Sequence, residues 1–333
     1  MSEENLLLAL EIGGTKLQAA LGTSGGAIVQ SRRGAAPSGG ADAILRWFDG
    51  EVPPLLESAP TPVRAIGVGF GGPVDSAAGK VLVSHQVEGW ENVELARWFT
   101  ERFGIPARIF NDSNAAGWAE YRLGAGRGTR NFMYSNIGSG IGGALVIDGT
   151  LHDGQGFGAG EVGHTWVADW EAADGKSADG KSADGKSAEC HTATKLENIC
   201  SGWAIERRLR AMQNLDSASP LYGLCDGKPE TLTCAMLGEA ARQADPKATA
   251  EINRVAKSIG MALANAVTLF HPEKIALGGG VSLLGDILLD PVRRYANAFA
   301  FGPFQNRFEV VPCELGESVV LAGALLLAGG NNA

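Results

Sequence analysis

Three stretches of the chain put glycine where a backbone could close around a phosphate: EIGGTK at 11 to 16, IGSGIGG at 137 to 143 and ALGGGV at 276 to 281. Each follows an apolar run. Glycine lets the main chain come close to a ligand and aim consecutive N–H groups at phosphate oxygens. Any one of the three reads equally well as a plain hairpin turn, but three together point to a bound phosphate. GSGIGG also spells the G-x-G-x-x-G of a dinucleotide site. That motif requires a helix N-terminus after the turn to receive the pyrophosphate, whereas the β-branched stretch GALVID follows here. The G-x-x-x-x-G-K-[ST] spacing of a Walker loop is missing from GGTK as well.

The second group of candidates is polar. FNDSNAAGWAE sets Asn111 and Asp112 at the end of a strand and the head of a helix, where sheet proteins commonly present reactive groups. Asp112 or Ser113 acting only as a helix cap is the competing reading. GAGEVGHTWV supplies Glu161 and His164, which have the chemistry of metal ligands, of hydrogen-bonding partners for a polar substrate, or of ordinary surface groups. Glu197 stands before a helix carrying Trp203, Ile205 and Leu209, a place the helix dipole also favours for an acid.

The elements that must hold these residues follow from periodicity and breakers. Strands are expected at 6 to 12, 16 to 22 and 27 to 33, joined by GG at 13 and 14 and by TSGG at 23 to 26, turns short enough for antiparallel hairpins. A helix from Asp42 to about Leu56, a strand at 65 to 71 and a helix from Glu94 to Phe103 come next. A strand at 107 to 112 leads into a helix that begins near Ser113 and ends before Gly124. After Arg130 the opening pattern returns in NFMYSNIGSGIGGALVIDGTLH, which implies an internal duplication and two lobes. A helix from Lys247 to Phe270, the strand of KIALGGGV and a C-terminal helix packed on one lobe complete the reading.

Composition narrows the class. A formal charge of −9 without a clustered basic face argues against nucleic acid as partner. The longest apolar run, 319 to 328, is half of the ~20 residues that span a bilayer, so no membrane segment is expected. Acidic Glu3 and Glu4 do not suit a signal peptide, and the expected location is the cytoplasm. Five cysteines without a CxxC pair read as reduced, mostly buried thiols.

In order and spacing, EIGGTK, GFGGPVD, NDSNAAGWAE, IGSGIGG, GEVGH, LENICSGWAI and LGGGV resemble the ROK family (repressors, open reading frames and sugar kinases) from residue 11 to 281. The resemblance implies an α/β fold of the two-lobed, actin-like (ribonuclease H-like) ATPase type, with mixed sheets and an interlobe cleft. It places the small lobe at 1–113 plus 316–333 and the large lobe at 114–315. It assigns Gly13, Gly14, Thr15 and Lys16 to a first phosphate loop, Gly138, Ser139, Gly140 and Gly142 to a second, and Gly278, Gly279 and Gly280 to the adenosine. Asn111, Asp112, Glu161, His164 and Glu197 then hold sugar hydroxyls. Asp112 is the general base in transfer from ATP, with Mg²⁺, to a hexose, best matched by glucose at its 6-hydroxyl. Family members are often dimers, so a homodimer is expected. A repressor of this family carries a helix-turn-helix segment before the first phosphate strand, where only five residues stand here. A catalytically inactive sugar sensor is the alternative.

Several positions depart from the family pattern. Glu11 replaces an Asp near Mg²⁺, Ser139 replaces a Thr, and Gln86 replaces the Asn of a sugar-contacting N-x-x-G-W. The zinc knuckle C-x-C-G-x-x-G-C-x-E falls on Ala188, Cys190 and Lys195, leaving one thiol of three; with His164 that gives two ligands of four. Cys200 and His191 match no ordinary zinc spacing, so structural zinc is not expected and the metal set is empty. Between His164 and Glu197 the pentapeptide DGKSA repeats three times, at 174 to 188. It has too little apolar surface to join a core, and the expectation is a flexible exposed loop over 173–188 inserted in the second lobe.

Overall fold

The computed structural model describes residues 6–84, 87–170, 193–213 and 215–330. The chain divides into two compact units: unit 1 is Met1–Tyr134, Gly143–Gly160 and Cys313–Ala333, and unit 2 is Ser135–Gly142 and Glu161–Pro312. The DGKSA repeat, Gln86, Cys190 and His191 lie outside the described residues.

The first half of the chain runs β1 (Leu6–Ile12), β2 (Lys16–Thr23), β3 (Ile28–Ala35), α1 (Gly40–Ser58), β4 (Ile66–Phe70), β5 (Val74–Asp75) and β6 (Lys80–Val81). It continues with α2 (Leu95–Phe103), β7 (Ala107–Asn111) and α3 (Asp112–Leu123). Then come β8 (Phe132–Ile137), β9 (Ile141–Ile147), β10 (Thr150–His152), β11 (Trp166–Ala168), β12 (Ala193–Lys195), α4 (Glu197–Cys200) and α5 (Gly202–Arg210). The remainder is α6 (Pro220–Leu224), α7 (Cys234–Arg242), α8 (Pro246–Phe270), β13 (Lys274–Gly278), α9 (Asp286–Phe299), β14 (Glu309–Pro312) and α10 (Val319–Ala328).

The first sheet has the order β3-β2-β1-β4-β7. β1 pairs antiparallel with β2 and parallel with β4, and β4 pairs parallel with β7, so the sheet is mixed. All seven residues of β1 are buried, as a strand covered on both faces requires, while β3 at the edge alternates. The second five-stranded sheet has the order β10-β9-β8-β13-β14, which repeats the sequence third, second, first, fourth, fifth. The duplication expected from the strand pattern is therefore a duplication of topology.

On one face of the first sheet, α1 and α2 bring Ile44, Phe48 and Phe99 onto Leu8, Leu10 and Val68. α1 continues through Pro53 and Pro54 to Ser58, because Val52 and Leu55 on either side of the prolines are fully buried. The other face is covered by α10, whose Leu321, Ala324 and Leu325 lie on Leu7, Ala9 and Ala20. The approach is close: a Cβ added to Gly323 would stand 1.8 Å from the Ala115 carbonyl oxygen of α3. α10 thus presses the base of α3 against the sheet that delivers it. Replacing Gly323 by Val should destabilise the chain by about 3 kcal/mol, the upper range for overpacking a core. An unchanged urea midpoint would refute this packing.

Candidate active site

In unit 1 the first glycine turn joins β1 to β2 and is closed by Gly13 N–H donating to the Lys16 carbonyl at 3.0 Å. Gly14 and Thr15 are exposed at its tip. Glu11, at the buried end of β1, is held on both carboxylate oxygens. Lys16 Nζ lies 3.1 Å from Oε1 and Gln18 Nε2 donates to Oε2 at 2.5 Å. Burial pushes the Glu11 carboxyl above its ordinary range, and Lys16 and Gln18 oppose that shift.

The β7 to α3 junction is fixed by Asn111. Its Oδ1 accepts from Asn114 N–H at 3.0 Å and its Nδ2 donates to the Gly72 carbonyl at 3.1 Å. Asn111 is therefore the helix cap, which corrects the reading of Asp112 or Ser113 as cap: the helix starts one residue earlier than its sequence suggests. Asp112 is the first helical residue, and its Oδ1 accepts from Ser113 N–H at 2.6 Å. A Cβ on Gly71 would lie 3.3 Å from Asp112 Oδ2 and 3.6 Å from Gly13 Cα, so Gly71 is the wedge at which the first turn and Asp112 meet.

Unit 2 gathers the remaining candidates. The second turn is closed by Gly138 N–H donating to the Gly140 carbonyl at 2.9 Å, and Gly202 N–H donates to Gly138 O at 2.7 Å. Farther along the same hairpin, Ser135 Oγ donates to Gly142 O at 3.3 Å. The third turn packs on the second. Gly279 has φ 84°, and a Cβ there would come within 2.3 Å of Asn136 Oδ1 and 2.5 Å of the Ile137 carbonyl. Gly278 ends β13, and Gly280 opens the short 3₁₀ turn that follows.

Glu161 and His164 bracket a single 3₁₀ turn closed by His164 N–H donating to Glu161 O at 3.1 Å. His164 Nδ1 lies 3.9 Å from Glu197 Oε1 and 3.2 Å from Lys195 Nζ. Glu197 Oε2 reaches to 3.7 Å from where a Gly140 Cβ would be. Desolvation raises the Glu161 carboxyl above its ordinary range, with His164 opposing and Glu197 adding to the shift.

The register of Glu197 is set by backbone. β11 and β12 pair Trp166 with Lys195 and Ala168 with Ala193, and Leu196 N–H donates to Thr165 O at 3.0 Å. The hairpin base is tied to α8 by Asp169 with Arg254 at 2.6 Å and by Lys257 Nζ, 3.5 Å above the Trp170 ring. Cys200 is fully buried and points at the Val255 carbonyl, 3.5 Å away, and burial pushes its thiol far above the ordinary range. That geometry is a core thiol's. Cys225, Cys234 and Cys313 are free as well. Among the described residues no three His, Cys, Asp or Glu side chains group as metal ligands.

A family model described as the ROK family matches residues 7–331. The chain belongs to the ROK family. Its relatives include a glucokinase of Streptomyces coelicolor, 30% identical over 329 residues and covering 97% of each chain. A glucokinase of Thermotoga maritima is 31% identical over 320 residues, 96% of this chain and 95% of that one. A ROK family glucokinase from Streptomyces griseus, solved in complex with glucose and AMPPNP, superposes with a TM-score of 0.78 at 31% identity, covering 97% and 99% of the two chains. The ROK chain has the α/β fold of the actin-like ATPases, with mixed sheets, as its motifs implied.

The sequence reading left out Gly71 as wedge, Gln18 as partner of Glu11, and Lys195 beside His164. GFGGPVD was a visible signal for the first, while the other two are generic polar residues whose roles arise only from pairing. If the β11/β12 ladder and the Asp169 pair hold Glu197, deleting 174–188 should leave the thermal midpoint nearly unchanged. Asp169→Ala should cost about 1–2 kcal/mol by leaving the half-buried Arg254 guanidinium without its carboxylate partner. Equal losses in the two variants, read by calorimetry, would overturn this account.

Proposed function

We propose that this ROK chain transfers the γ-phosphoryl group of ATP to a hexose, glucose at its 6-hydroxyl, with Asp112 as general base. The observation that carries the reading is the Asn111 cap. It fixes a carboxylate in the first turn of a helix, beside a glycine turn suited to phosphate. The similarity to a glucokinase solved with glucose and AMPPNP supports the same assignment of substrates.

In this mechanism Asn111 and Asp112 hold the attacking hydroxyl, and the proton passes to Asp112 as the oxygen bonds to phosphorus and the ADP oxygen leaves. Glu161, His164 and Glu197 pair with the other hydroxyls, so a sugar that fails to pair leaves a polar group unsatisfied. The glycine turns at 13–15, 138–142 and 278–280 receive the nucleotide, and Lys16 adds positive charge. Mg²⁺, when bound with ATP, supplies further neutralisation of the phosphates. Both Glu11 oxygens are engaged by Lys16 and Gln18, one contact each, which leaves lone pairs for a contact to Mg²⁺ through water. The competing reading, a sugar-binding protein without turnover, draws on the Glu at position 11 and the incomplete zinc knuckle. No described helix is long and apolar enough to cross a membrane; a cytoplasmic homodimer completes the proposal.

Asp112→Asn should lower kcat by about a hundredfold or more while sugar binding persists. ATP turnover is to be assayed with glucose, fructose, mannose, allose and N-acetylated hexosamines, and wild-type inactivity with all of them would reject the kinase. The raised Glu161 carboxyl gives a pH signature. Its protonated form, which no longer accepts two hydroxyl bonds, persists to higher pH than the ordinary value of 4.5. The sugar KM should therefore start to rise while the pH is still above 4.5, and Glu161→Gln should flatten that limb. A limb unchanged in the variant would remove Glu161 from the sugar site.

A further inference from the structure

Glu120 is a fully buried carboxylate on α3 that the mechanism above does not use. Its partners among the described residues are three backbone N–H groups and one thiol. Ala125 N–H donates to Oε2 at 2.9 Å, Glu314 N–H to Oε1 at 3.0 Å and Leu315 N–H to Oε1 at 2.9 Å, and the Cys313 thiol is bonded to the same group. Two of these donors lie 194 and 195 residues away, just after the chain re-enters unit 1 at Cys313.

The segment so clamped, 313 to 318, leads into α10 and presents the Glu317 carbonyl to the first glycine turn. Lys16 Nζ donates to that carbonyl at 3.4 Å and Gln18 Nε2 at 3.3 Å, and these are the two side chains that hold Glu11. Arg33 pairs with the Glu317 carboxylate. Glu120 therefore anchors the backbone at Glu314 and Leu315, and two residues farther along the same main chain the Glu317 carbonyl accepts from Lys16 and Gln18. The other end of α3 is secured separately, by Asn111 on Gly72, about 13.5 Å along the helix at 1.5 Å per residue.

We propose that Glu120 is a positioning residue for the nucleotide: it sets Lys16 against the phosphates by fixing the 313–318 turn. The proposal deepens the kinase reading and rests on it. Because the Asn111 cap is independent of this path, loss of the clamp should weaken nucleotide binding and spare the sugar.

The test is titration calorimetry of AMPPNP and of glucose into the whole chain, for wild type and two variants. Glu120→Gln keeps the shape but turns an amide donor toward backbone donors. Gly316→Ala perturbs the same turn from outside the core, since Gly316 has φ 63° and a Cβ there meets nothing within 4 Å. Both variants should bind AMPPNP about tenfold more weakly, the loss of roughly one charge-assisted hydrogen bond. Glucose affinity should hold, and Gly316→Ala decides alone if Glu120→Gln does not fold. Unchanged AMPPNP affinity, or equal weakening of both ligands as from general loosening, overturns the proposal. Turnover is not part of this readout, so a wild type that binds both ligands without phosphorylating refutes the kinase reading and leaves the Glu120 result legible.

Discussion

Asn111 is bound in two directions at once, and the placement of Asp112 depends on it. Its amide nitrogen holds the Gly72 carbonyl after β4 while its oxygen caps α3. A strand passing straight into a helix leaves the helix's first N–H groups without partners; Asn111 accepts from one of them, Asn114 N–H, and Asp112 from another, Ser113 N–H. Serine or aspartate would cap as well, but neither also offers an amide donor to the neighbouring loop. The strand β7, the loop after β4 and the helix are thereby locked into one geometry, with Asp112 the next residue along.

Unit 2 reaches the same end by different means. Between His164 and Glu197 the sequence carries the DGKSA repeat, and the described residues that flank it set the register of Glu197. They form a three-pair ladder between β11 and β12, supported by the half-buried pair of Asp169 and Arg254 on α8. Cys200, the thiol nearest Glu197 among the described residues, is turned into the core. Among the described residues it is backbone pairing that holds the register of Glu197 against Thr165 and Trp166.

What the sequence disclosed and what it hid divide along the range of the interactions. The long amphipathic helix α8 and the strands β1, β2, β4 and β7 were legible, because burial of one face imposes a period on neighbouring residues. The pairing of β11 with β12 was not: three residues each and far apart in the sequence, they carry no period. The cap was misassigned by one residue, since Asn, Asp and Ser stand in a row and each has the chemistry for it. Glu120 reads as a surface acid in mid-helix, and only contact with residues 194 positions away shows it to be a buried anchor. The site motifs were legible as types, yet their mutual geometry was not. The approach of Gly279 to Asn136 has no local trace.

The repeated strand order explains why the glycines fall where they do. In each sheet the first hairpin turn joins the first and second strands, at 13–15 and at 138–140. In each sheet the fourth strand ends in glycines as well, Gly71 and Gly72 after β4, Gly279 and Gly280 after β13. Both glycine pairs touch the end of the first strand of their own sheet: Gly71 N–H donates to Ile12 O at 2.8 Å, and Gly279 lies on Asn136 and Ile137. The three turns that stand out in the sequence are thus members of a set of four, two per copy. A side chain at the fourth-strand position would push the hairpin turn away from the loop beside it. The constraint is therefore one of topology first: in both sheets the order sets the first strand beside the fourth, and glycine after the fourth strand lets its loop lie against the end of the first.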